Sequence, residues 1–302
     1  MKDRLAEVGY GAGWTLVRHL PEAAGRRAFR TAADRAWAAQ GAGVRQMQAN
    51  YARALPEADA DTVLALGRSG MQSYARYWYE AFRLPAWSDD DVIARMAVHD
   101  EPQILRTLAD GGVAVMGHCG NWDHIGAWAV LRGLHFTTVA ERLRPESLYR
   151  RFVEYREGLG MEVLPLTGGD DPFATLQQRL AAGRIVALLA DRDISGGGLE
   201  VDFLGRPATF PPGPALLSIR SGQPLIPLAS WYDADHTQLQ ALPTIEPPTT
   251  GRLRDKVKAM TQAFADLLGE QVRAHPQDWH MLQPFWLDDV RRAHADRARE
   301  TP

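Results

Sequence analysis

The fold is indicated by the stretch Gly111-Gly-Val-Ala-Val-Met-Gly-His118-Cys-Gly-Asn-Trp-Asp123, an apolar run that ends in a histidine. A run of this length predicts a buried strand, and the Gly-Asn pair after it predicts a turn before a helix near Trp122. This pattern places His118 at the open end of the strand. The turn can bring Asp123 back to His118, and a carboxylate that accepts from one imidazole nitrogen makes the other nitrogen a stronger base.

Short apolar runs of the same kind alternate with helical patterns along the following residues. The predicted strands are Val113 to Gly117, Phe136 to Val139, Val163 to Leu166, Ile185 to Ala190 and Leu225 to Ala229, and the predicted helices are Trp122 to Leu134, Glu146 to Leu159, Pro172 to Ala182 and Ala215 to Ser221. This alternation predicts an α/β fold, in which a mixed central sheet is covered by helices and contains at least some parallel strands. Active sites in such sheets gather at the C-terminal ends of the strands, where His118 is placed.

We expect residues 1–302 to form a single domain in three parts. Residues 1–108 are predicted to be helical, because Ala-rich stretches at 23–40 and 59–82 are separated by turn signals. Residues 109–287 form the predicted α/β core, which includes a long helical pattern at 253–274. Residues 288–302 form a charged tail, in which we expect residues 291–302 to fray.

Composition narrows the class of protein. The 302 residues are 45% hydrophobic and 24% charged, which suits one large globular domain. A formal net charge of -3 does not favour a nucleic-acid binder. The single cysteine, Cys119, excludes an internal disulfide and is compatible with a reducing cytoplasm.

Contact with a membrane is left open by the sequence. No stretch approaches the roughly 20 apolar residues of a membrane-spanning helix, and the first residues lack the apolar centre of a signal peptide. Near the start, Tyr10, Trp14, Val17 and Leu20 share one predicted helical face. This face either packs on the protein or lies in a membrane surface.

Several motifs, in a defined order, carry a resemblance to a known family. They are His118 to Asp123, Ala190-Asp-Arg-Asp193, Val201-Asp-Phe-Leu-Gly205, Pro211-Pro-Gly-Pro-Ala215, Pro224-Leu-Ile-Pro227, Gly11-Ala-Gly-Trp-Thr-Leu-Val-Arg18, Ser73-Tyr-Ala-Arg-Tyr-Trp-Tyr-Glu80 and Asp278-Trp-His-Met-Leu-Gln-Pro-Phe-Trp286. Together they resemble the glycerolipid and lipid A late acyltransferase superfamily, and within it the actinobacterial phosphatidylinositol mannoside acyltransferases.

The resemblance implies a peripheral enzyme on the cytoplasmic face of the plasma membrane. It would transfer a long acyl chain, such as palmitoyl, from acyl-coenzyme A to a mannose hydroxyl of a phosphatidylinositol mannoside. Its partners would be acyl-CoA as co-substrate, the glycolipid and an anionic membrane surface, without nucleic acid, a metal or a further cofactor. A lipid A or glycerol phosphate acceptor, an acyl-CoA thioesterase and a non-catalytic lipid carrier remain as alternatives.

On this resemblance His118 is the expected general base, and several acids compete to be its partner. Asp123 satisfies the local spacing, while Asp191 follows a predicted strand and is the leading alternative, with Glu200 the second. Each of these acids is equally compatible with a salt-bridged turn. Cys119 is not expected to be a nucleophile, because adjacent residues on a strand point to opposite faces.

Substrate binding is predicted mainly in the segment from Glu141 to Arg156, which holds five arginines and three glutamates. Arginine binds phosphate bidentately, so the segment suits coenzyme A, an inositol phospholipid or an anionic membrane. The alternative is a solvated helix face with internal Glu–Arg pairs. From the resemblance, Glu141 and Arg156 are the first candidates. Arg142 and Arg144 follow, and Asp193 is a further candidate beside Asp191.

The remaining histidines raise two questions, whether they bind a metal and whether they lie near lipid. His118, Asp123 and His124 could together hold a metal, but no additional ligand stands at a familiar spacing. The segment with Trp279, His280 and Trp286 is predicted to pack into the core rather than to meet lipid headgroups, since large aromatic residues mostly serve cores.

Overall fold

The computed structural model of this chain describes residues 17–142, 145–167, 171–194 and 196–300. The candidate interfacial residues Tyr10 and Trp14, most of the Gly11 to Arg18 motif, and the candidate substrate-binding residue Arg144 lie outside the described residues.

Helices precede, connect and follow the strands. The helices are α1 Glu22–Ala38, α2 Ala42–Ala54, α3 Ala60–Arg83, α4 Asp89–Ala94, α5 Glu101–Ala109, α6 Trp122–Leu131, α7 Glu146–Gly158, α8 Pro172–Ala181, α9 Gly213–Ser221, α10 Leu253–Ala274 and α11 Leu287–Glu300, with 3₁₀ turns at Leu84–Ala86 and Pro276–Asp278. The strands are β1 Met96–His99, β2 Gly112–Met116, β3 Phe136–Ala140, β4 Glu162–Pro165, β5 Ile185–Leu189, β6 Leu199–Phe203, β7 Arg206–Phe210, β8 Leu225–Tyr232 and β9 Thr237–Ala241.

A seven-stranded sheet forms the centre of the molecule, in the order β1-β9-β8-β2-β5-β3-β4. Its neighbours pair in parallel, apart from the antiparallel pair β8 and β9. The predicted α/β class with a mixed sheet and a preceding helical segment is therefore confirmed. The five predicted strands and the helix predicted at residues 253–274 are also present.

The central strand β2 is buried on both faces, as expected for a strand inside a parallel sheet. Val113 and Val115 point into a core cluster formed with α2, α9, α10 and the C-terminal aromatic residues. Ala114 and Met116 point into the opposite cluster, formed with α3, α5, α6 and α7. The sheet is thus enclosed between two helical layers.

Three features differ from the sequence-based expectation. Strand β1 lies inside the segment predicted to be helical, because a four-residue strand with one buried position has no distinctive period. The hairpin β6–β7 alternates buried Val201 and Phe203 with exposed neighbours, and its turn places Leu204 and Gly205 at φ 56° and 79°. The charged segment after residue 286 forms helix α11 up to residue 300.

Candidate active site

The site is assembled where two neighbouring strands end. Strands β2 and β5 run in parallel with Met116 opposite Leu189, and Ala190 N–H donates to the Met116 carbonyl at 2.9 Å. His118 and Asp191 each follow two residues after the end of their strand. Because the register is level, the two side chains meet at the C-terminal edge of the sheet.

His118 and Asp191 form a closely paired dyad. The distance from His118 Nδ1 to Asp191 Oδ1 is 2.5 Å, and the backbone N–H of His118 donates to Asp191 Oδ2 at 2.9 Å. The indole N–H of Trp279 donates to the same Oδ2 at 3.3 Å. This arrangement occupies Nδ1 and leaves Nε2 as the ring nitrogen that can act as a base.

The carboxylate of Asp191 is completely buried. Burial acts to raise the pKa of Asp191, but the charge and hydrogen bonds of His118, together with Trp279, outweigh it and hold the pKa below its usual value. A carboxylate held in its charged form favours the imidazolium that arises when His118 takes up a proton.

Asp123 is occupied elsewhere, so the predicted approach of Asp123 to His118 is wrong. Its carboxylate accepts from the Tyr77 hydroxyl at 2.9 Å and from Arg156 Nε at 2.7 Å. The cause lies in the turn, because Asn121 caps α6 through the His124 N–H at 3.0 Å and thereby carries Asp123 into the first turn of the helix.

The Asp123–Arg156 ion pair is itself largely buried, with side-chain exposures of 2% and 16%. Burial disfavours the charged guanidinium, but Asp123 and the phenolic oxygen of Tyr77 outweigh it and raise the pKa of Arg156. Burial, followed by the charge of Asp123, raises the pKa of Tyr77 well above its usual value. Asp123 and Arg156 therefore form a buried ion pair with Tyr77 as a third, neutral member.

A cavity of about 610 Å³ opens in front of His118. Arg156, Glu141 and Arg192 line it together with aromatic residues of α3 and α7. The Trp122 ring stands edge-on to the imidazole, with centroids 5.4 Å apart. The cavity is therefore apolar over much of its wall and charged near the dyad.

A second cavity, of about 100 Å³, lies between α6 and the sheet. It shares Trp122, Val139, Arg156, Leu188 and Leu189 with the first cavity. Its described lining is apolar except for three residues, Asp123, Thr138 and Arg156. The larger cavity, which contains the charged residues, thus adjoins a smaller and almost entirely apolar one.

The remaining candidates are divided between the cavity and the surface. Glu141 lines the larger cavity, where its carboxylate lies 3.8 Å from Arg192. Arg142 forms an exposed ion pair with Glu146 at 2.8 Å. This pair fits the alternative in which the segment is a solvated helix face with internal Glu–Arg pairs. Asp193 accepts from the N–H groups of Gly196 and Gly198, each at 2.9 Å, and so caps the glycine loop.

Glu200 does not lie in the cavity. It stands on the exposed side of β6, opposite the face that buries Val201 and Phe203. The period of two in β6 dictates this direction, so Glu200 is not brought to His118.

Cys119 and His124 hold structural positions. Cys119 is 2% exposed and belongs to the core cluster of Trp279, and burial raises the pKa of its thiol well above the usual value. His124 is enclosed between the Thr237 hydroxyl at 2.9 Å and the Val92 carbonyl at 2.8 Å. Cys119 is therefore a poor nucleophile, and His124 is turned away from the dyad.

One buried polar group was not predicted from the sequence. The Ser73 hydroxyl contacts Asp278 Oδ1 at 2.6 Å and His280 Nε2 at 2.9 Å, and His280 lines the larger cavity. An antiparallel bridge between Cys119 and Trp279 ties this segment to the loop of His118. The sequence held one signal for this contact, because Ser73 and Asp278 are the first residues of two of the motifs that carry the family resemblance.

Among the residues that the structure describes, no helix combines the length and apolar character needed to cross a membrane.

Comparison with known proteins gives matches over nearly the whole chain. Residues 6–288 match the family described as bacterial lipid A biosynthesis acyltransferase. The chain is 44% identical over 290 residues to the phosphatidylinositol mannoside acyltransferase of Mycolicibacterium smegmatis, covering 95% of this chain and 93% of that protein. It is also 44% identical over 289 residues to the protein of the same name from Mycobacterium tuberculosis H37Rv, covering 93% and 88%.

Proposed function

The chain belongs to the bacterial lipid A biosynthesis acyltransferase family and is an acyltransferase, and we propose that its acceptor is a phosphatidylinositol mannoside. The acyl donor in this proposal is a long-chain acyl-coenzyme A, with palmitoyl as the acyl group. The names of two relatives, which are 44% identical to this chain over 290 and 289 residues, support the acceptor. Acylation of a mannose hydroxyl makes the protein an enzyme of glycolipid biosynthesis.

The observation that carries the proposal is the combination of the dyad with the paired cavities. His118 lies in the wall of the ≈610 Å³ cavity, which adjoins the apolar ≈100 Å³ cavity beneath α6. An acyl chain gains free energy in the apolar cavity because its methylene groups leave water. The thioester then lies near Trp122 and Arg156, where the cavities meet, in the part of the larger cavity that His118 also lines.

The reaction proceeds by direct attack of the sugar hydroxyl. His118 Nε2 takes the hydroxyl proton while the hydroxyl oxygen attacks the thioester carbonyl, and Asp191 stabilises the resulting imidazolium through Nδ1. The tetrahedral intermediate collapses to the ester as the carbon–sulfur bond breaks. The imidazolium then returns its proton to the departing coenzyme A thiolate, so that protons and electrons balance.

The base accounts for part of the rate. A positioned general base contributes on the order of 10²–10⁴-fold. Holding both substrates in one cavity supplies much of the remainder, since proximity converts a bimolecular step into an effectively unimolecular one. Glu141, Arg156 and Arg192 are the proposed polar contacts for the substrates in this cavity.

We further propose that the protein acts peripherally at the cytoplasmic face of the plasma membrane, where the glycolipid acceptor is embedded. Arg142 and Arg150 are exposed on and beside α7. Exposed arginines are attracted to anionic lipid headgroups.

The test is transfer of a radiolabelled palmitoyl group from palmitoyl-CoA to purified phosphatidylinositol mannosides. We expect labelled glycolipid with the wild type and a loss of at least about 10²-fold with His118→Ala. His135→Ala is the matched control, because His135 is an exposed histidine outside the cavity and should leave the rate unchanged.

Other acceptors separate the proposal from its alternatives. Preferred transfer to a lipid A precursor or to glycerol 3-phosphate would refute the proposed acceptor while keeping the acyltransferase chemistry. Release of free palmitate in place of labelled glycolipid would favour a thioesterase. Full transfer by a folded His118→Ala variant would refute the role of His118.

A further inference from the structure

Glu80, in the last turn of α3, is a buried carboxylate that the reaction described above does not use. Glu80 is 3% exposed, and Asn121, which it contacts, is completely buried. Asn121 Nδ2 donates to Glu80 Oε2 at 2.8 Å, and Arg76 Nε donates to Glu80 Oε1 at 2.7 Å. A buried charge is costly unless it is paired and hydrogen-bonded, so a carboxylate beside the loop of His118 calls for a reason.

The direction of each hydrogen bond in this group follows from which atoms can donate. The backbone N–H of His124 and the guanidinium of Arg76 only donate, and an ionised carboxylate only accepts. Asn121 must therefore turn Oδ1 to the His124 N–H, at 3.0 Å, and Nδ2 to Glu80. Because Glu80 accepts at both oxygens, its carboxylate selects one of the two possible orientations of the Asn121 amide.

Arg76, the other partner of Glu80, is itself held in place. Its Nη1 donates to the Asp233 carbonyl at 2.6 Å, and its guanidinium carbon lies 4.0 Å from the centroid of the Tyr232 ring. Burial disfavours the charged guanidinium, but the charge of Glu80 and other neighbours outweighs burial and raises the pKa of Arg76. A charged donor therefore stays opposite Glu80 Oε1.

The orientation of the Asn121 amide matters because Asn121 caps α6, whose first turn borders the site. Trp122, the first residue of α6, lines both cavities and stands edge-on to the His118 ring, with centroids 5.4 Å apart. Asp123, the second residue, accepts from Arg156 Nε at 2.7 Å, and Arg156 also lines both cavities. The cap thus fixes the part of the helix that stands where the cavities meet.

We propose that Glu80 is a positioning residue for acyl transfer and acts through the Asn121 amide on the first turn of α6. A reversed amide places Nδ2 against the His124 N–H, so that two donors face each other and the cap is lost. The inference rests on the proposed function, because it takes the junction of the cavities beside Trp122 as the place of the thioester. Glu80 is not among the described residues that line the two cavities, so it acts without touching a substrate.

Two single variants break the selection from opposite sides. Glu80→Gln has one oxygen and one NH₂ group, so it cannot accept from both Arg76 and Asn121. Asn121→Asp keeps a good helix cap but sets a second carboxylate against Glu80. We expect each variant to lower kcat for palmitoyl transfer by about 10- to 100-fold, since a misplacement of about 1 Å can cost that much. Glu57→Gln, at an exposed glutamate before α3, is the matched control and should keep the wild-type kcat.

The double variant Glu80→Gln/Asn121→Asp exchanges the two groups and should restore the rate. The new glutamine oxygen accepts from Arg76, its NH₂ group donates to the new aspartate, and the second aspartate oxygen accepts from the His124 N–H. Every hydrogen bond is kept and the carboxylate has only changed sides. We expect kcat to recover most of the lost rate. Losses that add in the double variant, or a folded Glu80→Gln variant with lower thermal stability and unchanged kcat, would overturn the proposal.

Hydrogen exchange tests the same contacts without substrate. The amide of His124 should exchange roughly 5-fold faster or more in Glu80→Gln, because its cap is lost, and should return to the wild-type rate in the double variant. Faster exchange along the whole chain, without a particular change in the first turn of α6, would show a general structural role and overturn the proposal. Failure of the wild type to acylate phosphatidylinositol mannoside would instead refute the proposed function, and it would leave the exchange result unchanged.

Discussion

Replacing Asp191 by asparagine separates the chemical role of the dyad from its structural role. Asp191 Oδ2 accepts two hydrogen bonds, from the His118 N–H and the Trp279 indole, whereas Oδ1 meets only His118 Nδ1. An asparagine has one oxygen and one NH₂ group. Its oxygen should take the place of Oδ2, because that choice satisfies two buried donors, and its NH₂ group should then face Nδ1.

In this orientation all three contacts are kept but the imidazole is held in the opposite tautomer. The proton moves to Nε2, which can then no longer accept one from the acceptor hydroxyl. We expect Asp191→Asn to lower kcat by about 10²–10⁴-fold, the contribution of a positioned general base. The unfolding free energy should change by only about 1 kcal/mol, the net worth of one exchanged hydrogen bond.

The assay combines palmitoyl transfer with urea unfolding followed by circular dichroism. Asp191→Ala is the matched variant, since it leaves the same donors unpaired and should lose about 1–3 kcal/mol for each buried group. Full transfer by Asp191→Asn would refute the dyad. A large loss of stability in the same variant would refute the predicted orientation of the amide.

Two further variants probe the surroundings of the site, and a third probes an ion pair on the edge strand β4. Asp123→Asn should lower the unfolding free energy by about 3–5 kcal/mol in urea titration, because it leaves Arg156 charged and buried, and a change below about 1 kcal/mol would contradict this. Gly126→Val should reduce transfer from palmitoyl-CoA relative to decanoyl-CoA by about 10-fold or more, since a Cβ there lies 2.5 Å from a methionine Cε in the lining of the apolar cavity; an unchanged ratio would count against an acyl chain in that cavity. Arg179 holds the pKa of Glu162 at about 2, below its ordinary 4.5, so this pair stabilises the fold above about pH 4.5 and the stabilisation disappears as the pH falls to about 2. Arg179→Met should flatten the plot of unfolding free energy against pH between about pH 2 and 4.5. Plots for the wild type and the variant that stay parallel would show that this ion pair does not cause the pH dependence.

The sequence predicted the elements of the fold better than their arrangement. The strands around β2 and β5 were visible because buried parallel strands are short and continuously apolar. The period of two did not reveal β1, whose four residues include one buried position. The order of the strands in the sheet was not predictable, since it is set by crossover connections between residues far apart in sequence.

The choice of acid partner shows the consequence of that missing order. The spacing in the sequence favoured Asp123 as the acid partner of His118, and the family resemblance favoured Asp191. Neither argument gives the distance between an acid and His118 in the fold. Only the adjacency of β2 and β5 brings residues 73 positions apart to 2.5 Å. The same limit hid the contact of Ser73 with His280, since its two motifs were visible without any indication that they meet.

The bridge between Cys119 and Trp279 has a consequence for the timing of activity during synthesis. His118 and Asp191 are both translated before residues 278–286, but the indole that orients Asp191 and the wall that contains His280 arrive with that later segment. Chains emerge N-terminal end first, so the growing polypeptide exposes the dyad's residues well before the cavity around them can close. The cavity around the dyad is therefore expected to form only after residues 278–286 have been translated and have folded against the loop of His118.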